Sequence, residues 1–537
     1  MRRGKSGRPW QIRGVMADPA RLIERHEFYF ELLERMAEWG LNTLWWHFAD
    51  DEGFMLKLSS HPEIAGPHAF SKAQMRRLIA RAAELGIDVV PEVEALGHTR
   101  YITALPKYAE LADGDPLAFN AICPSHRRTL PLLEEIIREV ADLFPSRYFH
   151  AGMDEVDLGG CPRCRRRGRG RPKWWIYAPH ARAVHSIVRS AGKEMIIWAD
   201  HVEKDPAMLK VLPRDIIMAH WHYRQVRREP IRRSLAAGFR VIGCPAMCHS
   251  GDVIMPNQAN FANMDAMTSF LSRLPRPGRP QGGGVLGVVN TWWTIWRGLR
   301  DAYLPAVAYT GSMLDARSAI DKPAFMRRFA REFYGLTDAG AAGAMRELHA
   351  LMIGRAELLA CLFDSPAGMH DALKLAERDD FRRRGRRIDE CTRTLRALAR
   401  KPHRRRREFA ALALAGTVAG LCCRRPVDLA AAFALYRQAK DAHDAGRPRV
   451  QVAGVLQEAV SALRKMQGEL GAVVRAVAAE WDRTRYANDA KKKRLGRGDD
   501  ALLARLYQAE RFGAELTRQL GRAIRQYPRT GRFPGGV

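Results

Sequence analysis

"SKAQMRRLIARAAELGIDVVPEV" (residues 71–93) reads as one helix running directly into one strand. Ser71 suits an N-cap, because its hydroxyl can accept a hydrogen bond from a first-turn backbone N–H. Gly86 suits the helix end, since glycine enters the left-handed region without a Cβ clash. The run that follows, "IDVVPEV" (87–93), is nearly continuous in apolar residues, as a strand buried on both faces must be. The alternation continues outward in both directions. Strands are expected at "WQIRGVM" (10–16), "NTLWWHF" (42–48), "RYFHAGM" (147–153), "EMIIWAD" (194–200), "DIIMAHW" (215–221), "FRVIGCP" (239–245) and "GVLGVVNTWW" (284–293). Helical segments separate them, such as "RHEFYFELLERMAEWG" (25–40), which again ends in Gly. Eight strands, each followed by a crossover, predict a (β/α)₈ TIM barrel over residues 1–315.

From residue 316 the strand signals stop. Leu456, Val460, Leu463, Met466, Leu470, Val474, Val477 and Trp481 recur at steps of three and four, which marks one face of an amphipathic helix. With Ala-rich runs such as "EFAALALAGTVAGL", this predicts an all-α C-terminal domain over 316–537. That part also carries most of the positive charge. It holds 45 Lys and Arg against 25 Asp and Glu, whereas the first 315 residues hold 43 against 34, in a chain of net charge +29. Such an excess points to an anionic partner or to a general bias toward Arg.

With 47% hydrophobic residues and 12 Trp, the 537-residue chain is globular rather than disordered, and long enough for two domains. The N-terminal "MRRGKSGRPWQIRGVM" lacks the apolar stretch of a secretory signal, and no apolar run reaches about 18 residues, so a cytoplasmic location without membrane insertion is expected. Nine cysteines, an odd and sparse set, do not make a disulfide scaffold. "CPRC" (161–164) supplies half of a structural zinc site, which Cys244 and Cys248 could complete, but free thiols are the plainer expectation. "RGRP" (169–172) has the form of a minor-groove hook, but an Arg-rich surface loop is the plainer expectation.

In a barrel of this kind the chemistry gathers where the strands end. Those ends carry Arg13; Asp50 and Asp51; Glu92, Glu94 and His98; His150, Asp154 and Glu155; Trp198 and Asp200; Trp221; and Trp292 with Trp293. Indole faces stack on sugar rings, and carboxylates protonate glycosidic oxygens, so the set predicts a carbohydrate pocket. Adjacent residues on a regular strand point to opposite faces, so Asp154 and Glu155 can reach one substrate only where the strand ends and turns.

"HAGMDEV" (150–156) resembles the His-x-Gly-Gly-Asp-Glu signature of glycoside hydrolase family 20, the β-N-acetylhexosaminidases. "WWHFADDEGFMLKL", "FSKAQMRRLIARAAELGIDVVPEVEALGH" and "IRGVMAD" resemble three further blocks of that family, in its order. The resemblance implies a retaining hydrolase of terminal β-linked 2-acetamido sugars. In such an enzyme the substrate's own acetamido oxygen attacks the anomeric carbon, giving an oxazolinium intermediate. It implies Glu155 as general acid/base, with its pKa raised by a negative Asp154, and Asp154 as the group orienting the acetamido. Asp50 and His98 resemble the buried pair behind the catalytic Glu, and Arg13 the group gripping sugar hydroxyls. His150, Trp198, Trp221, Trp292 and Trp293 complete the expected substrate site. No cofactor and no metal is expected there.

Four departures mark this chain. The family's strand-three Asp is Glu94, its Pro before Gly-His is Leu96, its late Tyr-Leu-Asp has no match in "VIGCPAMCHSGD", and its late Trp-x-Glu reads "WWTIW". They leave open another 2-acetamido sugar, including one on an anionic glycan. They also leave open a barrel that binds glycans without cutting them, and more remotely a basic nucleic-acid-binding protein.

Overall fold

The computed structural model describes residues 10–117, 121–278, 283–293, 297–316, 320–401, 403–486 and 501–534. Its first part is a closed barrel of eight parallel strands: β1 (Ile12–Ala17), β2 (Thr43–His47), β3 (Asp88–Glu92), β4 (Tyr148–His150), β5 (Glu194–Trp198), β6 (Ile217–Trp221), β7 (Arg240–Cys244) and β8 (Gly284–Trp292). Each pairs with its sequence neighbour, and β8 closes on β1 with Arg13 opposite Val288. Every expected strand is present, with ends that differ by a few residues from the expected ones.

The crossovers are α1 (His26–Glu38), α2 (Lys72–Glu84), α3 (Thr129–Leu143), α4 (Trp174–Ser190), α5 (Arg228–Ala236), α6 (Gln258–Leu271) and α7 (Leu304–Asp315), while β5 and β6 are joined by shorter turns of helix. Ser71 caps α2 as expected: its side chain accepts from the Gln74 N–H, and the Gln74 side chain accepts from the Ser71 N–H. Gly40 and Gly86 close their helices at φ +73° and +70°.

Side-chain alternation divides the barrel wall into two cores. Ile12, Met16, Trp45, Val90, Ile196, Trp198, Ile242 and Val289 fill the interior, whereas Val15, Leu44, Val89, Ile197 and Val241 meet the helices outside. The outer core runs on into the C-terminal helices α8 (Asp379–Ala399), α9 (Arg406–Asp444), α10 (Arg449–Thr484) and α11 (Leu502–Thr530). The predicted apolar stripe of α10, from Leu456 to Trp481, is buried throughout.

The end of α10 is fastened to the segment that follows β1. Arg485 reaches Glu24 at 3.1 Å in a fully buried ion pair, and the Arg25 N–H donates to the Thr484 carbonyl. Tyr486 stacks on His68 at 4.2 Å between ring centroids. Among the described residues no helix is long and apolar enough to cross a membrane.

Candidate active site

The rim of the barrel is organised by where β4 stops. "YFHAGMDEV" forms a strand only to His150, because Gly152, Met153 and Glu155 take φ of +62°, +76° and +49°. Left-handed backbone at two non-glycine residues is strained, and strain of this kind concentrates at functional sites. Gly152 is obligatory for two reasons. Its φ disfavours a side chain, and a Cβ there would overlap the carboxylate of Glu94, which accepts the Met153 N–H at 3.0 Å. Gly152→Ala is expected to destabilise the fold by about 2 kcal/mol or more, measured by urea denaturation. An unchanged midpoint would contradict this account of the turn.

The turn brings both acids to one imidazole. His98 Nε2 lies 3.5 Å from Glu155 Oε2 and 3.8 Å from Asp154 Oδ1. On its other side His98 Nδ1 lies 3.3 Å from Asp51 Oδ2 and 3.7 Å from Asp50 Oδ1. Asp50 is fully buried and also meets His47 Nε2 at 2.9 Å and the Arg21 guanidinium at 2.7 Å. The chain of contacts continues from His47 Nδ1 to Glu92 at 3.0 Å, and Glu92 in turn accepts from Trp198 Nε1 at 2.8 Å. His150 Nδ1 stands 3.4 Å from the same carboxylate.

Burial and neighbours set the protonation of this cluster. Burial opposes the charged form of His98, but Asp50, Asp154 and Asp51 outweigh it and hold its pKa well above that of free imidazole. Asp50 likewise resists burial and stays well below the usual carboxylate range, because Arg21, His98 and His47 surround it. His150 falls to about 4 through burial. Asp154 is pushed up to about 7, mainly by burial and then by Asp200 and Glu155, against the pull of His98. Glu155 moves down, because His98 hydrogen-bonds to it and its side chain is half exposed. This reverses the expected direction, in which Asp154 would be ionised and Glu155 raised. Burial disfavours the charged form more strongly at the more deeply buried partner.

Two expected substrate contacts lie elsewhere. Arg13 sits near the start of β1 on its outward face, with Nε donating to the Gly40 carbonyl and Nη1 to the Trp10 carbonyl. The arginine at the rim is Arg21, beyond the end of β1, paired with Asp18 and Asp50 and lying 4.9 Å from the Trp293 ring centroid. Trp292 also points outward, its ring against Phe28 and Tyr303, since it and Trp293 occupy opposite faces at the end of β8.

Trp293 faces inward, edge-on to His47, and its Nε1 donates to the Tyr223 hydroxyl at 2.6 Å. Tyr223 stacks on Trp221. Trp198 is completely buried beneath them, so it forms the floor of the site rather than a wall. Arg21, His47 and Tyr223 were absent from the sequence expectation. An Asp-x-x-Arg just past the first strand and a His closing the second were the available signals. Residues 294–296, which follow the Trp pair in "WWTIW", lie outside the described residues.

Beside Glu155 opens a cavity of about 610 Å³, lined by Val156, Trp174, Tyr177, His201 and Met208 among others. Of the expected site residues only Glu155 lines it. The Glu155 N–H donates to Asp200 at 3.3 Å, and the Val156 N–H to His201 Nε2 at 2.9 Å, so this wall is held from the β5 side.

The family model for the catalytic domain of glycosyl hydrolase family 20 matches residues 10–294, the span of the whole barrel. This chain belongs to glycosyl hydrolase family 20. Among curated proteins it is 29% identical over 274 residues to a beta-hexosaminidase of Vibrio furnissii, covering 43% of each chain. It is 28% identical over 257 residues to beta-hexosaminidase subunit beta of Felis catus, covering 43% of this chain and 46% of that one. The chain thus spans less than half the length of these relatives. A solved beta-N-acetylhexosaminidase of Bacteroides fragilis aligns at 20% identity and a TM-score of 0.49, over 60% of this chain and 69% of the other. The family match ends where the barrel does, so α8 to α11 lie beyond it.

Proposed function

We propose that this chain hydrolyses terminal β-linked N-acetylhexosamine with retention, through the substrate's own acetamido group. The observation that carries the reading is His98, held between Asp50 and Asp51 on one side and Asp154 and Glu155 on the other. Membership of the family and the beta-hexosaminidase relatives favour the same reaction.

In the resting site one proton is shared by the acid pair and rests on Asp154. A bound 2-acetamido sugar would invert that order. Its amide N–H, donated to Asp154, stabilises the carboxylate, and the leaving group covering Glu155 removes water and favours the neutral acid. The proton then stands on Glu155. As the acetamido oxygen bonds to the anomeric carbon, the bond from that carbon to the leaving oxygen breaks and Glu155 protonates the oxygen. Glu155, now a carboxylate, takes a proton from a water that attacks the same carbon. The ring of the intermediate opens and the acetamido group is restored. Arg21, its guanidinium held by Asp18 and Asp50, would bind sugar hydroxyls, and Trp293 with Trp221 would face the ring.

The test is release of 4-nitrophenol from aryl β-glycosides of N-acetylglucosamine and N-acetylgalactosamine, compared with aryl β-glucoside. Turnover of the acetamido sugars alone is expected. Equal turnover of the glucoside would remove the acetamido group from the mechanism, and no turnover of any would favour a binding protein.

A further inference from the structure

Four ligand-type side chains meet away from the acid pair. Cys123, from the excursion after β3, lies with its Sγ 3.3 Å from that of Cys161 and 3.5 Å from that of Cys164. Asp113 completes the group, and one donor atom from each of the four residues lies within 4.8 Å of every other. All four side chains are buried. Cys244 and Cys248 do not take part: Cys244 lies inside the barrel, and Cys248 packs against the Tyr303 hydroxyl at 3.4 Å.

Simple packing of apolar thiols does not account for Asp113. Its carboxylate is buried beside three sulfurs, accepting from the Gly159 and Cys161 N–H groups at 2.8 Å each. Among the described residues no Lys, Arg or His is ion-paired with it. A buried carboxylate without a counter-cation is costly, and a divalent ion at the centre of the cluster supplies the missing charge. The sulfur spacings suit this. Tetrahedral zinc with Zn–S bonds of about 2.3 Å places its sulfurs about 3.8 Å apart, a few tenths of an ångström beyond those observed. Three thiolates and a carboxylate around Zn²⁺ leave a net charge of −2. The adjoining helix Pro162–Gly168 carries Arg163, Arg165, Arg166 and Arg167 on its exposed side, which offsets that charge.

We infer that Cys123, Cys161, Cys164 and Asp113 bind one structural zinc ion. Thiolate ligands select a soft or borderline metal, and four protein ligands leave no open position, so the ion is a staple and not a Lewis acid. Binding displaces the three thiol protons to solvent as three zinc–sulfur bonds form. The staple joins the loop after β3 to the segment 159–164 after β4. The cavity wall of Glu155, Val156, Asp157 and Leu158 leads directly into that segment.

The test is metal analysis of the full chain, purified without added chelator. One zinc per chain is expected, and replacement by Co²⁺ should give a thiolate-to-cobalt charge-transfer band with the visible spectrum of a tetrahedral site. Cys123→Ser and Cys161→Ser should each abolish stoichiometric zinc, and Cys244→Ser should keep it. Asp113→Asn should retain the charge-transfer band and shift the visible bands. Wild-type protein without zinc and with all three thiols open to alkylation would overturn the site. So would a mass lower by two hydrogen atoms, which reports a disulfide. If the serine variants do not fold, the wild-type zinc content and cobalt spectrum still decide.

Discussion

Glu155→Gln is expected to lower kcat for an aryl N-acetylhexosaminide by about 10²- to 10⁴-fold, the range general acid–base catalysis supplies. The amide keeps the shape and the hydrogen bond from His98 but has no proton for the leaving oxygen. The side chain is half exposed and on the rim, so the thermal midpoint should barely move. The comparison of rate with midpoint is the measurement that matters. A variant that stays folded and turns over at the wild-type rate would end the assignment of Glu155 as the acid.

Asp154→Asn should change the pH profile as well as the rate. In the wild type the pair keeps its last proton until pH rises through about 7, where Asp154 titrates. Activity, read as kcat/KM, is therefore present below that value and lost above it. Asparagine removes both the titrating group and its negative charge. The one remaining acid is Glu155, which His98 already holds below the ordinary glutamate range. The basic limb should then move down by more than about two pH units, with at least about a hundredfold loss at neutral pH. A basic limb that stays near 7 in the variant would mean another group carries the proton.

The barrel was legible because parallel strands buried on both faces must be apolar, and "IDVVPEV" and its seven counterparts are. The first two helices between them, thirteen residues each, declared their ends through Ser71, Gly40 and Gly86. The acid pair was legible too, since "HAGMDEV" joins an apolar strand to two carboxylates through a glycine. Arg13 and Trp292 were misplaced because a strand end gives a neighbourhood but not a side-chain direction. One residue of parity separates the wall's outside from its inside, as Trp292 and Trp293 demonstrate.

By itself, then, the sequence determined the order of strands and helices, the rim on which polar groups collect, and the two carboxylates at its fourth strand. Those are properties of local pattern, fixed by hydrogen-bonding geometry and by which residues tolerate burial. Tertiary structure alone decided that Arg21 reaches Asp50, that Cys123 meets a Cys-x-x-Cys some forty residues away, and that burial raises the pKa of Asp154 while His98 lowers that of Glu155. Contacts between distant segments leave no spacing to read, and a pKa depends on how much water each group has lost. Only the folded chain sets either.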